Sequence, residues 1–202
     1  MAQQDLIHEI TRIAEPLARS LGLVIWGIEI IPSGRTVLRI YVDTPHDAPD
    51  APRKDPNADD SVREADGRGP VIDQCAQISR HVGLALEAED LLPHAYVLEV
   101  SSPGFERPFF TLAQLAPYVG NALELKLDIA QPELPDRKRL RGKLLAVDEH
   151  ALSLLAYDAP AGTQLAINWN NVRKATLAPT LPFTNLEKNR KKKAAPKANA
   201  TF

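Results

Sequence analysis

The segment LEVSSPGFERPFF, at residues 98–110, restricts the backbone at several consecutive positions. The alternating apolar residues that lead into it predict a strand that ends at Ser101. Pro103-Gly104 fits the centre of a type II turn, because proline presets a negative φ and glycine accepts the positive φ that follows. Pro108 keeps Arg107 away from helical geometry. The segment therefore predicts a fixed turn between a strand and the next element.

Three polar side chains of this segment are candidate binding residues: Ser101, Ser102 and Arg107. One interpretation is a structured joint between domains, in which the hydroxyls satisfy neighbouring backbone groups. The other is direct contact with a partner. The residues alone leave both interpretations open, and the two are compatible.

The region 1–108 predicts an α+β domain with two helices packed on a three-stranded sheet. Apolar residues at helical spacing predict one helix that ends at Gly22 and a second over 72–86. Pro16 interrupts the first pattern, so we expect a kink there or two abutting helices. Alternating residues predict three strands, at 23–31, at 36–42 and before Ser101.

The stretch 44–70 is rich in proline and aspartate and poor in apolar residues. Such a stretch buries too little surface to offset its ordering entropy, so it predicts a disordered insertion. The functional alternative is an acidic segment that attracts a basic partner. His46 with Asp47 and Asp50 offers only a weak metal set, since no rigid frame or further ligand accompanies them. We expect no metal and no cofactor.

The region 109–180 predicts a small all-β domain. A short helix over 112–119 precedes five strand-like runs separated by tight turns, an arrangement typical of a small closed barrel. The five runs lie at 122–128, 140–147, 151–157, 164–167 and 174–177.

Basic residues cluster where the chain enters the second of these runs. The cluster consists of Arg137, Lys138, Arg139, Arg141 and Lys143. Strand alternation places the last three on one face, opposite Leu140. Three like charges on one face favour contact with RNA, or docking against a mixed surface of RNA and protein, over a merely solvated surface. A second polar cluster contains Asn171, Arg173 and Lys174, with turn capping as the competing role.

The net charge of −2 conceals an uneven distribution. Residues 1–108 carry 10 Lys/Arg and 18 Asp/Glu, a balance of −8, which suits a basic partner. Residues 187–202 carry 6 Lys/Arg and 1 Asp/Glu, a balance of +5. They belong to a predicted disordered basic tail at 181–202. RNA affinity comes largely from cations that neutralise phosphates, so the second half is the expected RNA-binding part.

Catalysis finds little support in the sequence, and we expect no enzyme. No G-x-S-x-G elbow, phosphate loop or H-E-x-x-H motif occurs. The single cysteine, Cys75, fits a small core residue within a helix. No apolar run approaches a membrane span and the start lacks signal-peptide features, so a cytoplasmic protein is expected.

The motif VLEVSSPG followed by Arg107-Pro108 resembles the signature of the RimP family of bacterial ribosome maturation factors. Weaker matches follow in the family's order from about Leu6 to Pro179, while the insertion 44–70 departs from the short loop of relatives. The matching segments include Gly22, 24–31, 38–43, 73–75, 118–120, 141–143, 146–148 and 171–175.

The resemblance implies a non-enzymatic assembly factor that binds the immature small ribosomal subunit. There it would meet ribosomal RNA and help to incorporate a basic ribosomal protein of the decoding region, acting as a monomer. It also implies that the second domain is an SH3-like or Sm-like barrel. The alternative is a free-standing Sm-like RNA-binding regulator.

Overall fold

The computed structural model describes residues 3–32, 34–45, 69–92, 94–157, 159–160 and 162–178. The predicted insertion is described only at its two ends, and the predicted tail 181–202 lies outside the described residues. The weak metal candidate around His46 also lies outside them.

The first part of the chain contains two helices: α1 is Gln3–Ser20, and α2, which follows the insertion, is Ile72–Ala88. Gly22 takes a φ of 73° just after α1, as the predicted helix end requires. The alternative of two abutting helices at Pro16 is wrong, because α1 continues through that residue and buries one face along its length. No helix in the described ranges is long and apolar enough to cross a membrane.

A three-stranded sheet lies beneath these helices, with β1 at Val24–Ile31, β2 at Thr36–Asp43 and β3 at Tyr96–Ser101. Its order is β1-β2-β3, with β1 antiparallel and β3 parallel to β2. The inward residues of β2 and of both helices form one apolar core. The predicted α+β architecture of the first domain is therefore confirmed.

A separate sheet of six strands, in the order β4-β9-β5-β6-β7-β8, forms the second part of the protein. All five predicted strands are present, but the two-residue β4 is too short for a periodic pattern and was not predicted. The strands are β4 Pro108–Phe109, β5 Ala122–Leu127, β6 Arg139–Val147, β7 Ala151–Ala156, β8 Gln164–Asn168 and β9 Val172–Leu177. An all-β second domain is confirmed, whereas closure of this sheet into a barrel stays a prediction.

The core of the second sheet extends into the first domain. Trp26 of β1 and Tyr41 of β2 belong to the same apolar cluster as the inward residues of β5 to β9. The predicted short helix is a 3-10 helix, Leu112–Tyr118, which packs on this cluster. The two domains therefore share a buried contact at the joint between them.

Candidate nucleic-acid interface

Arg107 is enclosed at the joint between the two sheets. Its Nη1 donates to Oδ2 of Asp43 at 2.5 Å, and the two side chains are only 17% and 7% exposed. Its guanidinium carbon lies 4.6 Å from the ring centre of Trp26 and 5.9 Å from that of Tyr118. Arg107 thus links the last residue of β2 to aromatic rings from both domains.

Hydrogen bonds between side chains and the backbone also hold this joint together. Trp26 Nε1 donates to the carbonyl of Pro108 at 2.6 Å, and Gln114 Nε2 donates to the carbonyl of Trp26 at 2.6 Å. Gln114 Oε1 accepts from the backbone N–H groups of Phe110 and Thr111 at 2.8 and 3.1 Å. These bonds tie β1, β4 and the 3-10 helix together, which supports the joint interpretation of the signature segment.

Gly27 is required by the packing at this joint. A Cβ atom there would overlap the ring of Phe110, so only glycine lets that ring lie against β1. The ring centre of Phe110 also lies 5.7 Å from that of Tyr41. Gly104, in the turn that leads to the joint, has the positive φ of 67° that the sequence predicted.

The two serines of the signature lie at the other end of the turn. Ser101 closes β3 opposite Tyr41, and Ser102 is exposed just beyond it. Within the described ranges neither hydroxyl has a hydrogen-bond partner. The two hydroxyls therefore remain candidates for contact with a partner, whereas contact by Arg107 would require its present bonds to break.

The basic strand has the geometry that alternation predicts. Along β6, Leu140, Gly142 and Leu144 are buried, while Arg139 and Lys143 are exposed on the opposite face. Arg141 lies on that same outer face and is partly buried. A Cβ at Gly142 would meet the backbone of Leu155, which explains the gap in the inner row.

Strand pairing adds a residue that sequence reasoning missed. Lys126 of β5 is directly opposite Arg139 of β6 on one side and Lys174 of β9 on the other. Directly opposite residues in antiparallel strands point to the same face. The exposed position of Lys126 was readable from the alternation of β5, but its two basic neighbours come from strands elsewhere in the chain.

A network of polar side chains on the first sheet contacts one of these basic residues, Lys174. Glu29 Oε1 lies 3.3 Å from Lys174 Nζ, and its Oε2 accepts a hydrogen bond from the Tyr41 hydroxyl at 3.0 Å. Arg39 Nε donates to Glu99 at 2.7 Å and its Nη1 donates to Tyr41 at 3.4 Å. Burial raises the pKa of Tyr41, so it stays protonated and able to donate at neutral pH. The hydrogen bonds with Tyr41 and Glu99 raise the pKa of Arg39 further above its ordinary value.

The remaining predicted residues differ in their exposure and in their bonds. Lys138 and Arg173 are exposed, and Arg137 lies in the turn before β6. The side chain of Asn171 is occupied internally, since it accepts from the N–H and donates to the carbonyl of Ile129, both at 2.8 Å. Its turn-stabilising role is therefore visible, and a binding role would require breaking these bonds. No cluster of metal-ligating side chains occurs among the residues that the structure describes.

Comparison with known proteins identifies the family. The family model described as the RimP N-terminal domain matches residues 13–106. The protein named Ribosome maturation factor RimP of Nitratidesulfovibrio vulgaris strain DP4 is 45% identical over 186 residues, covering 90% of this chain and 95% of that protein. The protein of the same name from Lawsonia intracellularis is 38% identical over 181 residues, covering 88% and 89%. With similarity across both sheets and the joint between them, the chain belongs to the RimP family.

Proposed function

We propose that this protein is a ribosome maturation factor that binds the immature small ribosomal subunit and helps a basic protein of the decoding region to enter it. The shared name of its relatives supports a role in ribosome maturation. The choice of subunit and of ribosomal protein follows the family resemblance of the signature segment.

The observation that carries the RNA-binding part is the outer face of β6. Arg139, Arg141 and Lys143 share this face, while the intervening residues are buried in the sheet. A surface with several cations on one side can neutralise adjacent phosphates of an RNA backbone and release their counterions. Lys138 and Arg173 are exposed further basic residues of the second domain.

The first domain has the opposite charge and suits the protein partner. Its balance of −8 over 1–108 would attract a basic ribosomal protein, and the exposed Ser102 lies at its border with the second domain. The joint around Arg107 connects the two surfaces. In this proposal the protein bridges RNA and a basic protein while both are being assembled.

Three further features belong to the proposal. The six-stranded sheet closes as an SH3-like or Sm-like barrel, the protein acts as a monomer in the cytoplasm, and it acts by binding rather than by catalysis. Tight, strongly twisted antiparallel sheets with short turns favour such closure. The sheet's two end strands, β4 and β8, are the strands that closure would bring together.

Sedimentation of cell lysate through a sucrose gradient at moderate salt tests the role. We expect the protein to comigrate with free small subunits and to be absent from polysomes. A signal confined to the top of the gradient, together with bound small RNA, would instead support the free-standing RNA-binding regulator. Repetition at higher salt should weaken the association, since phosphate contacts are sensitive to salt.

Charge reversal of the β6 face tests the residues. The variant with Arg139→Glu, Arg141→Glu and Lys143→Glu should lose particle binding and remain folded, because these side chains lie outside the core. A control with Arg19→Glu and Arg80→Glu reverses exposed arginines on the two helices and should retain binding. Retained binding by the β6 variant would remove this face from the interface.

A further inference from the structure

A cleft of about 350 Å³ lies where the joint meets the outer face of the second sheet. Tyr41 and the turn of the signature segment form one side of the cleft. The other side is formed by β5, β6 and β9, and three basic residues of these strands line the cleft. These basic residues are Lys126, Arg139 and Lys174.

The three cations form a row across adjacent strands. Lys126 pairs in register with Arg139 and with Lys174, and neighbouring strands lie roughly 4.8 Å apart. Like charges directly opposite each other in a sheet destabilise it. Within the described part of the chain, Lys126 and Arg139 make no ion pair that would offset this repulsion, and only Lys174 has one, to Glu29.

Carboxylates also line the cleft, and their positions limit where an anion can bind. Glu124 is directly opposite Arg141, one alternation step along the strands from the row of cations. Glu106 belongs to the exposed turn of the joint. The lining thus carries three cations and two carboxylates, with the positive charge concentrated along the row.

We propose that this cleft binds a phosphate group of an RNA backbone, and that the phosphate competes with Glu29 for Lys174. The proposal rests on the proposed function, since it supplies RNA as the partner. A phosphate placed against the row relieves the repulsion among all three cations. Binding there also weakens one ion pair between the domains, while the Arg107–Asp43 pair remains, so RNA binding is coupled to the contact between the two sheets.

Fluorescence anisotropy with the full chain and a short labelled oligouridine tests the site. Lys126→Glu exchanges an attraction for a repulsion, so we expect its dissociation constant to rise about tenfold or more at low salt. Arg80→Glu makes the same change in net charge on the exposed face of α2 and should shift it by less than about threefold. Equal effects of the two variants would overturn the proposal, because only net charge would then matter.

Three other probes identify the ligand chemistry. An oligouridine with a neutral methylphosphonate backbone should not bind, and a polyglutamate peptide should bind far more weakly than oligouridine. Inorganic phosphate alone should give no saturable heat in a calorimetric titration. If polyglutamate binds and the binding depends on Lys126, the cleft is assigned to an acidic protein. If free phosphate binds and the binding depends on Lys126, the cleft is assigned to a small anion. Either result overturns the RNA assignment.

Glu29→Gln tests the competition. It removes the charge that holds Lys174 and keeps an oxygen that can accept from Tyr41, so oligouridine should bind about two- to fivefold more tightly. Unchanged or weaker binding contradicts the competition.

The gradient experiment separates the cleft proposal from the assembly role. If Lys126→Glu still associates with small subunits and its oligouridine binding is unaltered, the cleft proposal alone is rejected. Lys126-dependent oligouridine binding without subunit association would reject the assembly role alone.

Discussion

The joint and the outer face of the second sheet both contain arginine, but they use its charge differently. Arg107 is 17% exposed, paired with Asp43 and stacked near Trp26. Arg139 is exposed and, within the described residues, has Lys126 rather than a carboxylate as its directly opposite neighbour on β5. The first arrangement satisfies the charge inside the protein, and the second leaves it available.

This difference distinguishes cations that stabilise the fold from cations that are available to bind a partner. A paired and enclosed cation holds elements together, so its removal should cost stability. An unpaired cation in a like-charged row raises the free energy of the folded protein, so its removal should cost binding alone. The predictions below apply this distinction, beginning with the largest expected effect.

Arg107→Ala should lower the free energy of unfolding by about 3–5 kcal/mol, because it leaves the carboxylate of Asp43 buried without its partner. Urea unfolding followed by tryptophan fluorescence measures this loss. Arg19→Ala is the control: Arg19 makes an exposed pair with Glu15 on α1, and its loss should cost less than about 0.5 kcal/mol. Similar losses in the two variants would show that Arg107 is not a structural cation.

Gly27→Ala should cost about 1–3 kcal/mol, since the new methyl group displaces the ring of Phe110 at the joint. Gly83→Ala is the matched control inside α2, where the new Cβ would lie 3.7 Å from Leu98, an ordinary contact. There the change should stabilise by about 0.5–1 kcal/mol, because alanine favours the helix. Thermal unfolding of both variants shows whether the two changes in stability have opposite signs.

Lys126→Glu should stabilise the protein by about 0.2–1 kcal/mol, since it replaces repulsion with attraction toward both neighbouring strands. The same variant is expected to weaken RNA binding. Chemical unfolding and anisotropy on one preparation measure the two effects together. A loss of stability would place Lys126 among the structural cations with Arg107.

Cys75 reports whether damage at the joint spreads into the first domain. Burial raises the pKa of its thiol, so less thiolate is present at about pH 8 in the native protein than in the unfolded chain. Iodoacetamide should therefore react more slowly with native protein, and the reaction should accelerate at a higher pH. If Cys75 in Arg107→Ala is still alkylated slowly, the damage stays at the joint. If it is alkylated fast, α2 itself has opened.

Local sequence patterns predicted most elements of this fold. Helical spacing found α1 and α2, alternation found every strand longer than two residues, and Gly22 and Gly104 marked positive φ as expected. The errors have physical causes. The apolar face of α1 packs continuously across Pro16, and β4 forms only because the turn delivers Pro108 and Phe109 to the edge of β9.

By itself the sequence determined the one-sided basic face of β6, because alternation within a strand is a local property of the backbone. It also determined the positive φ of Gly104, because glycine adopts this conformation without steric cost, although the turn itself lies one step further on, at Phe105 and Glu106. Tertiary structure alone decided that Arg107 pairs with Asp43 and that Lys126 lies between Arg139 and Lys174. Those partners are distant along the chain, and only packing and strand register bring them together.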